Sequence, residues 1–363
     1  MCDNILYQNY ATLVQHHHWA GGITKNQLLD FEKKLAMGES GVQTKNKPKN
    51  IIMWALTYDC NAKCEYCYLK DYKQPIPTVT KNQYFEIAKK LVESSFKADA
   101  IWLTGGEPTI LSFLPELIAF FKANNVEVVL NTNSIVRDDF LLKILEAEPT
   151  GVVVSLDSTL ENEMLKSRKR TFSAHNVLER LKFIKQHKSN NTILGTAVVL
   201  TSDAINNLYD YAVEVAKIGV EYISLNPMYG EGKPSATDVA ILQTNIQKIK
   251  QDSAVLLPSD YYLSLIYQYY NDELTEHFCP SLYNYFFISP WGYIYPCSNE
   301  MWQTFNGFEF DITTAKGDWY EQISSMRNTY LKSWRKTTLS SCFSSRCIGC
   351  FKVYYDTIFT KNK

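Results

Sequence analysis

The chain has 363 residues, 45% of them hydrophobic, and a formal net charge of -1 at pH 7. This balance predicts one large domain with appendages and gives no electrostatic basis for a nucleic-acid or anionic-membrane partner. No apolar run reaches the ~18 residues of a membrane span. The opening residues, MCDNILYQNY, lack a secretory signal pattern, so a cytoplasmic location is expected.

The first part of the chain, residues 1–50, is polar and predicts a small helical appendage. Candidate helices cover Ile5–Gln15 and Asn26–Ala36, and the composition of GESGVQTKNKPKN predicts a linker. The run His16–His18 has no cysteine or acid at ligand spacing. We therefore interpret it as a solvated turn rather than a metal site.

Residues 51–230 alternate between short apolar runs, rich in Val, Ile and Leu, and amphipathic stretches. This alternation predicts parallel strands that are buried on both faces and connected by helices. The predicted strands are 51–58, 100–104, 126–132, 152–157, 192–200 and 222–227. The predicted helices are 81–94, 111–123, 138–146, 174–188 and 204–218. The fold class is therefore α/β, with a partial (β/α)6 barrel of the TIM type.

Beyond residue 230 the alternation stops, and residues 231–363 predict a small C-terminal domain with a β-hairpin and helices. The hairpin is predicted over 286–297, with its turn at Pro290–Gly292. The predicted helices are 239–254, 260–270 and 319–336.

Polar residues and glycines lie at or just after the carboxyl ends of the predicted strands of the barrel. Because ligands of such barrels gather at the carboxyl ends of the strands, these residues predict one site at that end. They are Cys60, Gly105, Gly106, Glu107, Asn131, Asn133, Ser155, Asp157 and Asn226.

Three cysteines lie close together directly after the first strand, in the segment CNAKCEYC. Cys60, Cys64 and Cys67 on one short loop can bind a single soft metal centre. Three ligands on a four-iron cubane leave one iron free for a cofactor or substrate. A structural zinc site is the alternative, although zinc requires a fourth ligand and no histidine follows at suitable spacing.

CNAKCEYC after the first strand, with LTGGEPT after the second, resembles the radical S-adenosylmethionine (SAM) superfamily over residues 51–228. The resemblance implies that the three cysteines hold a reducing [4Fe–4S] cluster whose free iron binds SAM. It also implies cofactor contacts for further residues, with a strand-end cap as the alternative for Ser155 and Asp157. These residues are Tyr66, Gly105, Gly106, Glu107, Pro108, Asn131, Ser155 and Asp157, and Asp157 is in addition a catalytic candidate.

The chemistry implied by this resemblance is radical chemistry. One electron, from a reduced flavodoxin- or ferredoxin-type donor, leads to cleavage of SAM into methionine and a 5′-deoxyadenosyl radical. That radical removes a hydrogen atom from a substrate C–H bond. The cofactor supplies the difficult chemistry, and the protein provides orientation and the exclusion of water.

A second cysteine group lies near the C-terminus, where the C-x12-G-x4-C spacing around Gly292 resembles the start of SPASM and twitch modules. The resemblance implies an auxiliary [4Fe–4S] cluster. A zinc ribbon is the alternative. Cys342 is then left as a hydrogen-atom donor in an epimerisation, a replacement ligand or an inert buried thiol. The implied ligands are Cys279, Cys297, Cys347 and Cys350.

Three functions remain open from the sequence. The first is modification of a ribosomal peptide by crosslinking, epimerisation or oxidation, although Ser298 argues against sulfatase-maturing chemistry because that branch has an acid there. The second is a sugar or aminocyclitol dehydrogenase or epimerase. The third is a zinc-stabilised binding protein that is not an enzyme.

Overall fold

The computed structural model describes residues 50–67, 69, 77–168, 173–228, 232–258, 260–273, 285–295 and 310–326. Nine strands of these segments form one sheet in the order β6-β5-β4-β3-β2-β1-β7-β8-β9. The predicted N-terminal appendage and the predicted auxiliary cysteines lie outside the described residues. The boundaries proposed at residues 50 and 230 stay predictions.

Six consecutive parallel strands form the main body of the sheet, and each is followed by helix. They are β1 (Ile51–Thr57), β2 (Ala100–Gly105), β3 (Glu127–Thr132), β4 (Gly151–Ser155), β5 (Ile193–Leu200) and β6 (Tyr222–Pro227). Strand β6 does not pair with β9 at the other edge, so the sheet is open. This confirms the predicted α/β partial barrel.

Nine helices are bounded within the described ranges. They are α1 (Lys81–Glu93), α2 (Leu114–Ala123), α3 (Asp138–Glu146), α4 (Glu161–Arg168), α5 (Ala174–His187), α6 (Ser202–Asn206), α7 (Leu208–Ile218), α8 (Ala236–Asp252) and α9 (Asp260–Tyr270). Residues 319–326 are also helical. In this part of the chain, no helix has both the length and the apolar character needed to cross a bilayer.

Beyond shifts of one to three residues at the ends of other helices, the observed helices differ from the prediction in three ways. Helix α2 begins only at Leu114 because Pro115, which lacks an N–H, is favourable only in a first turn. The predicted helix 204–218 is two helices, α6 and α7, separated at Asn207, whose side chain donates to the Asp203 carbonyl. Helix α4 was not predicted.

The two faces of the sheet form separate apolar layers. On the face covered by helices, every second strand residue packs against helix residues, and the packing forms two large clusters. One cluster contains Trp54, Leu103 and Leu130, and the other contains Val154 and Leu200. The alternate strand residues point to the opposite face and form an inner layer, to which no described helix contributes. Its buried members are Ile51, Ala55, Tyr58, Ala100, Trp102, Val129, Val153, Ile193, Tyr222, Tyr285 and Phe287.

The predicted hairpin is present and belongs to the same sheet as the barrel strands. Strand β7 (Tyr285–Ile288) pairs in parallel with β1, and β8 (Tyr293–Tyr295) and β9 (Phe310–Asp311) continue antiparallel. The Trp54 indole N–H donates to the Ser289 carbonyl at 3.1 Å. The hairpin turn therefore lies beside the carboxyl end of β1.

Replacing Trp54 by Phe is expected to lower the free energy of unfolding by about 1–3 kcal/mol, because the Ser289 carbonyl loses its donor and the core loses volume. Chemical denaturation followed by circular dichroism measures the change. Ile110→Ala, at a side chain that is 43% exposed, is the control and should stay within about 0.5 kcal/mol of the wild type. Equal stabilities of Trp54→Phe and the wild type would contradict this packing.

Candidate functional site

The two glycines at the end of β2, Gly105 and Gly106, hold the start of the cysteine loop in place. Gly106 N–H donates to the Thr57 carbonyl at 2.6 Å, and Glu107 N–H donates to the Asp59 carbonyl at 2.9 Å. A Cβ at Gly105 would lie 2.2 Å from the Thr57 carbonyl oxygen, and one at Gly106 would lie 2.0 Å from that of Asp59. Only glycine permits so close an approach of the two backbones.

Glu107 is a buried acceptor that joins the ends of β2 and β3. Its carboxylate accepts from Thr109 N–H (3.0 Å), Thr109 Oγ1 (2.7 Å), Thr132 Oγ1 (2.6 Å) and Asn133 N–H (2.7 Å). Burial raises the pKa of this carboxyl, and the four hydrogen bonds lower it in part. The side chain is 1% exposed, so it supports the loop and does not face solvent.

Asn133 lies at the side of Cys60. Its amide nitrogen is 4.0 Å from Cys60 Sγ and donates to Asn61 Oδ1 at 2.7 Å. Asn61 in turn donates to the Ile135 carbonyl at 2.9 Å. The loop after β3 therefore fixes the first cysteine from one side.

A buried ion pair lies at the other side of the loop. Arg168 donates to both carboxylate oxygens of Asp157, with distances of 2.7 Å from Nε and 3.2 Å from Nη2. Tyr66 donates its hydroxyl to the same carboxylate. Arg168 Nη1 also lies 3.9 Å from Cys64 Sγ. The ends of β4 and α4 thus contact the second cysteine and the aromatic residue before the third.

The three thiols are neighbours and form no disulfide. Burial raises the pKa of Cys60 to about 11, and the charges of Glu107, Cys64 and Cys67 add to the increase. Burial also raises the pKa of Cys64, while Arg168 lowers it. The Cys60 and Cys64 thiols are therefore protonated at neutral pH, and metal binding would release their protons.

Three thiolates on one loop are the donor set that iron–sulfur clusters take, so the residues fit such a group chemically. In the described segments, however, no three or more His, Cys, Asp or Glu side chains are grouped as a metal site. The three sulfurs are near enough to influence one another's pKa values, but they do not form such a group.

The inner face of the sheet changes character toward the carboxyl ends of the strands. Beyond the aromatic and aliphatic layer, toward the carboxyl ends, the side chains on this face are small or neutral polar and half-buried. They are assigned to the inner face because side chains alternate between the two faces along a strand. They are Thr104, Asn131, Ser155, Ala197 and Asn226. Ser155 pairs in register with Ala197, and Asn131 pairs with Val153. The described strands place no charged side chain in this part of the wall.

A cavity of about 440 Å³ opens beside the ion pair. Tyr66 and Asp157 line it together with Thr201 after β5 and Met228 after β6. It therefore follows the carboxyl ends of three neighbouring strands, where barrels of this kind bind their ligands.

The structure brings most of the predicted site residues to one end of the sheet. Asn133 contacts Cys60, Arg168 contacts Cys64, and Tyr66 contacts Asp157. The glycine loop lies beside these residues. Asn131 and Ser155 lie on the inner wall of the sheet, in strands β3 and β4. Cys279, Cys297, Cys342, Cys347 and Cys350 lie outside the described residues.

Arg168 was missed by the sequence interpretation. A single arginine in a polar helix carries no pattern that distinguishes it from a solvated one. The available signal was Asp157, a carboxylate at a strand end that requires a partner when it is buried.

The fold and the site define an α/β protein with an open barrel and a cysteine loop at the carboxyl end of its first strand. Residues 54–212 match the model of the Radical SAM superfamily. This part of the chain is therefore similar in sequence to a radical SAM domain, and the similarity implies a [4Fe–4S] cluster and SAM as cofactors.

Curated relatives share parts of the chain. It is 30% identical over 141 residues to Fe-coproporphyrin III synthase of Methanosarcina barkeri, covering 37% of this chain and 34% of that protein. It is 22% identical over 311 residues to the antilisterial bacteriocin subtilosin biosynthesis protein AlbA of Bacillus subtilis, covering 82% of this chain and 66% of AlbA. The chain thus spans between a third and two thirds of these two relatives.

Among solved structures, the fold is similar to that of SuiB from Streptococcus suis. The structure of SuiB bound to SAM gives a TM-score of 0.59 at 13% identity, with 87% of this chain and 75% of SuiB covered. The structure bound to the precursor peptide SuiA gives 0.59 at 12% identity, with 88% and 76% covered. At this identity the likeness establishes the fold.

Replacing Glu107 by Gln is expected to destabilise the site, because an amide cannot accept all four hydrogen bonds and its NH₂ group would oppose a donor. We expect a loss of about 2–3 kcal/mol in the free energy of unfolding and less iron after reconstitution. Denaturation and iron analysis measure both. Glu116→Gln, at an acid that is 59% exposed, should change neither. A normal iron content in Glu107→Gln would contradict the assigned role.

Proposed function

We propose that the chain is a radical SAM enzyme that holds a [4Fe–4S] cluster on Cys60, Cys64 and Cys67 and removes a hydrogen atom from a ribosomal peptide. The product would be a crosslinked, epimerised or oxidised residue. When bound, the cluster and SAM supply a 5′-deoxyadenosyl radical. A reduced flavodoxin- or ferredoxin-type protein is the predicted electron donor.

The observation that carries this proposal is the convergence of the cysteine loop with the ends of β2, β3 and β4. The glycine loop contacts the backbone before Cys60, Asn133 contacts Cys60, and Arg168 contacts Cys64. The loop that would bind the cluster is therefore positioned from three strands at once. The cavity beside Tyr66 and Asp157 supports a place for the adenosyl group of SAM.

The inner wall supports an uncharged reacting group. Thr104, Asn131, Ser155 and Asn226 offer hydroxyl and amide groups, and Ala197 leaves space between them. A neutral side chain of a peptide can enter such a wall without the desolvation of a charge. AlbA and the SuiB–SuiA complex, whose names refer to a bacteriocin and a precursor peptide, favour the peptide substrate.

An auxiliary [4Fe–4S] cluster on Cys279, Cys297, Cys347 and Cys350 belongs to the proposal. Support comes from the hairpin: Cys297 follows the end of β8 at Tyr295, and Gly292 has the positive φ of +92° that its turn requires. Cys342 remains a candidate hydrogen-atom donor or a replacement ligand.

A small-molecule substrate is the second candidate. Of the two curated relatives described above, the one with the higher identity is named for a porphyrin product rather than for a peptide. The neutral wall would equally accept a sugar or aminocyclitol ring. Peptide and small-molecule substrates differ in the source of the hydrogen atom that appears in 5′-deoxyadenosine, so transfer of deuterium from labelled candidates separates the two.

Replacing Cys60, Cys64 and Cys67 together by Ala is expected to abolish cleavage of SAM, because the cluster loses all its ligands. The anaerobically reconstituted protein is incubated with SAM and dithionite, and 5′-deoxyadenosine is quantified. Cys2→Ala, outside both cysteine groups, serves as the control and should cleave SAM normally. Formation of 5′-deoxyadenosine by the triple variant would refute the assignment, as would zinc in place of iron in the wild type.

Replacing Cys297 by Ala is expected to remove the auxiliary cluster and leave SAM cleavage intact. Iron should fall from roughly eight to roughly four atoms per chain, since each cubane holds four irons. Iron and acid-labile sulfide are measured with 5′-deoxyadenosine formation in the same preparation. An unchanged iron content would exclude Cys297 as a ligand.

A further inference from the structure

We propose that Arg168 is a positioning residue for the cluster loop, whose guanidinium is fixed by Asp157 and donates a hydrogen bond to the Cys64 sulfur. Through that bond it would raise the reduction potential of the cluster. The inference rests on the proposed function, because it requires a cluster on Cys64.

The guanidinium is held rigidly on its inner side. Both members of the ion pair are buried, with side-chain exposures of 7% for Arg168 and 6% for Asp157. The Asp157 carboxylate also accepts from Ser167 Oγ at 3.2 Å and from Val199 N–H at 3.2 Å. Strands β4 and β5 and helix α4 therefore fix the carboxylate, and the carboxylate fixes the arginine.

The other side of the guanidinium faces the cysteine loop. Its Nη1 lies 3.9 Å from Cys64 Sγ, which is a hydrogen-bond distance for the large sulfur atom. Its central carbon lies 5.8 Å from the centre of the Tyr66 ring. One backbone bond reinforces this contact: Glu65 N–H donates to the Ser167 carbonyl at 3.0 Å. The end of α4 thus contacts the loop at three consecutive residues, Cys64, Glu65 and Tyr66.

The chemistry of this contact goes beyond packing. Arginine stays protonated under all relevant conditions and cannot accept a hydrogen bond, so an N–H directed at Cys64 is a permanent donor. Asp157 offsets most of the charge at longer range, but the oriented N–H remains next to the sulfur. Hydrogen bonds to cluster sulfurs favour the more negative, reduced state and therefore raise the potential.

The test compares three full-length variants with the wild type after anaerobic reconstitution: Arg168→Gln, Arg168→Lys and the control Arg137→Gln, at an arginine that is 84% exposed. Iron content and the midpoint potential of the SAM-binding cluster, from redox titration followed by electron paramagnetic resonance, are measured without SAM. Cys297→Ala serves as the background in all four proteins, so that a single cluster is titrated.

We expect Arg168→Gln to shift the potential downward, so that the reduced fraction at a fixed donor potential falls about three- to tenfold. Arg168→Lys, which keeps a cationic donor, should recover part of that loss, and Arg137→Gln should match the wild type. If Arg168→Gln binds no cluster, the Lys variant decides: a loaded cluster with a lowered potential supports the proposal.

Two results overturn it. One is a loaded Arg168→Gln cluster with the wild-type potential. The other applies when Arg168→Gln binds no cluster. In that case the proposal is overturned if Arg168→Lys also binds no cluster, or if its cluster has the wild-type midpoint potential. A wild-type protein that binds no cluster would overturn the proposed function and this inference together, whereas a normal wild-type cluster separates the two failures.

Discussion

The close approach of two backbones, at Gly105–Gly106 and at Thr57–Asp59, is the constraint on which the site depends. Hydrogen bonds between them fix the chain just before Cys60. Glu107, the next residue, extends the connection to β3 through Thr132 and the Asn133 backbone. One short segment therefore couples three strand ends, and any side chain at either glycine would force the loop away.

Much of the barrel was predictable because parallel strands buried on both faces must be almost continuously apolar. Strands β3 and β5 begin within a residue of their predicted starts, and β6 was predicted with its observed bounds. The location of the site followed from the same logic, since polar residues in such strands concentrate at their carboxyl ends. Asn133 and Asp157 were predicted at strand ends by this logic, and the structure places both of them there.

What the sequence did not reveal depends on partners far away along the chain. Helix α4 buries only Met164 and Arg168, so it has no apolar stripe to indicate a helix. The burial of Arg168 is intelligible only beside Asp157, on a different element. Likewise, the hairpin was predicted from its turn, but nothing local indicated that β7 would pair with β1.

The pairing of β7 with β1 has a consequence for biosynthesis. Trp54 and its acceptor Ser289 are 235 positions apart, so β1 emerges from the ribosome long before the strand that covers its second edge. Until then an apolar strand has one exposed row of backbone groups, which is a template for association with other chains. Contacts of such long range also slow folding. Nascent chains of this protein therefore need either rapid completion or a chaperone that shields the edge of β1.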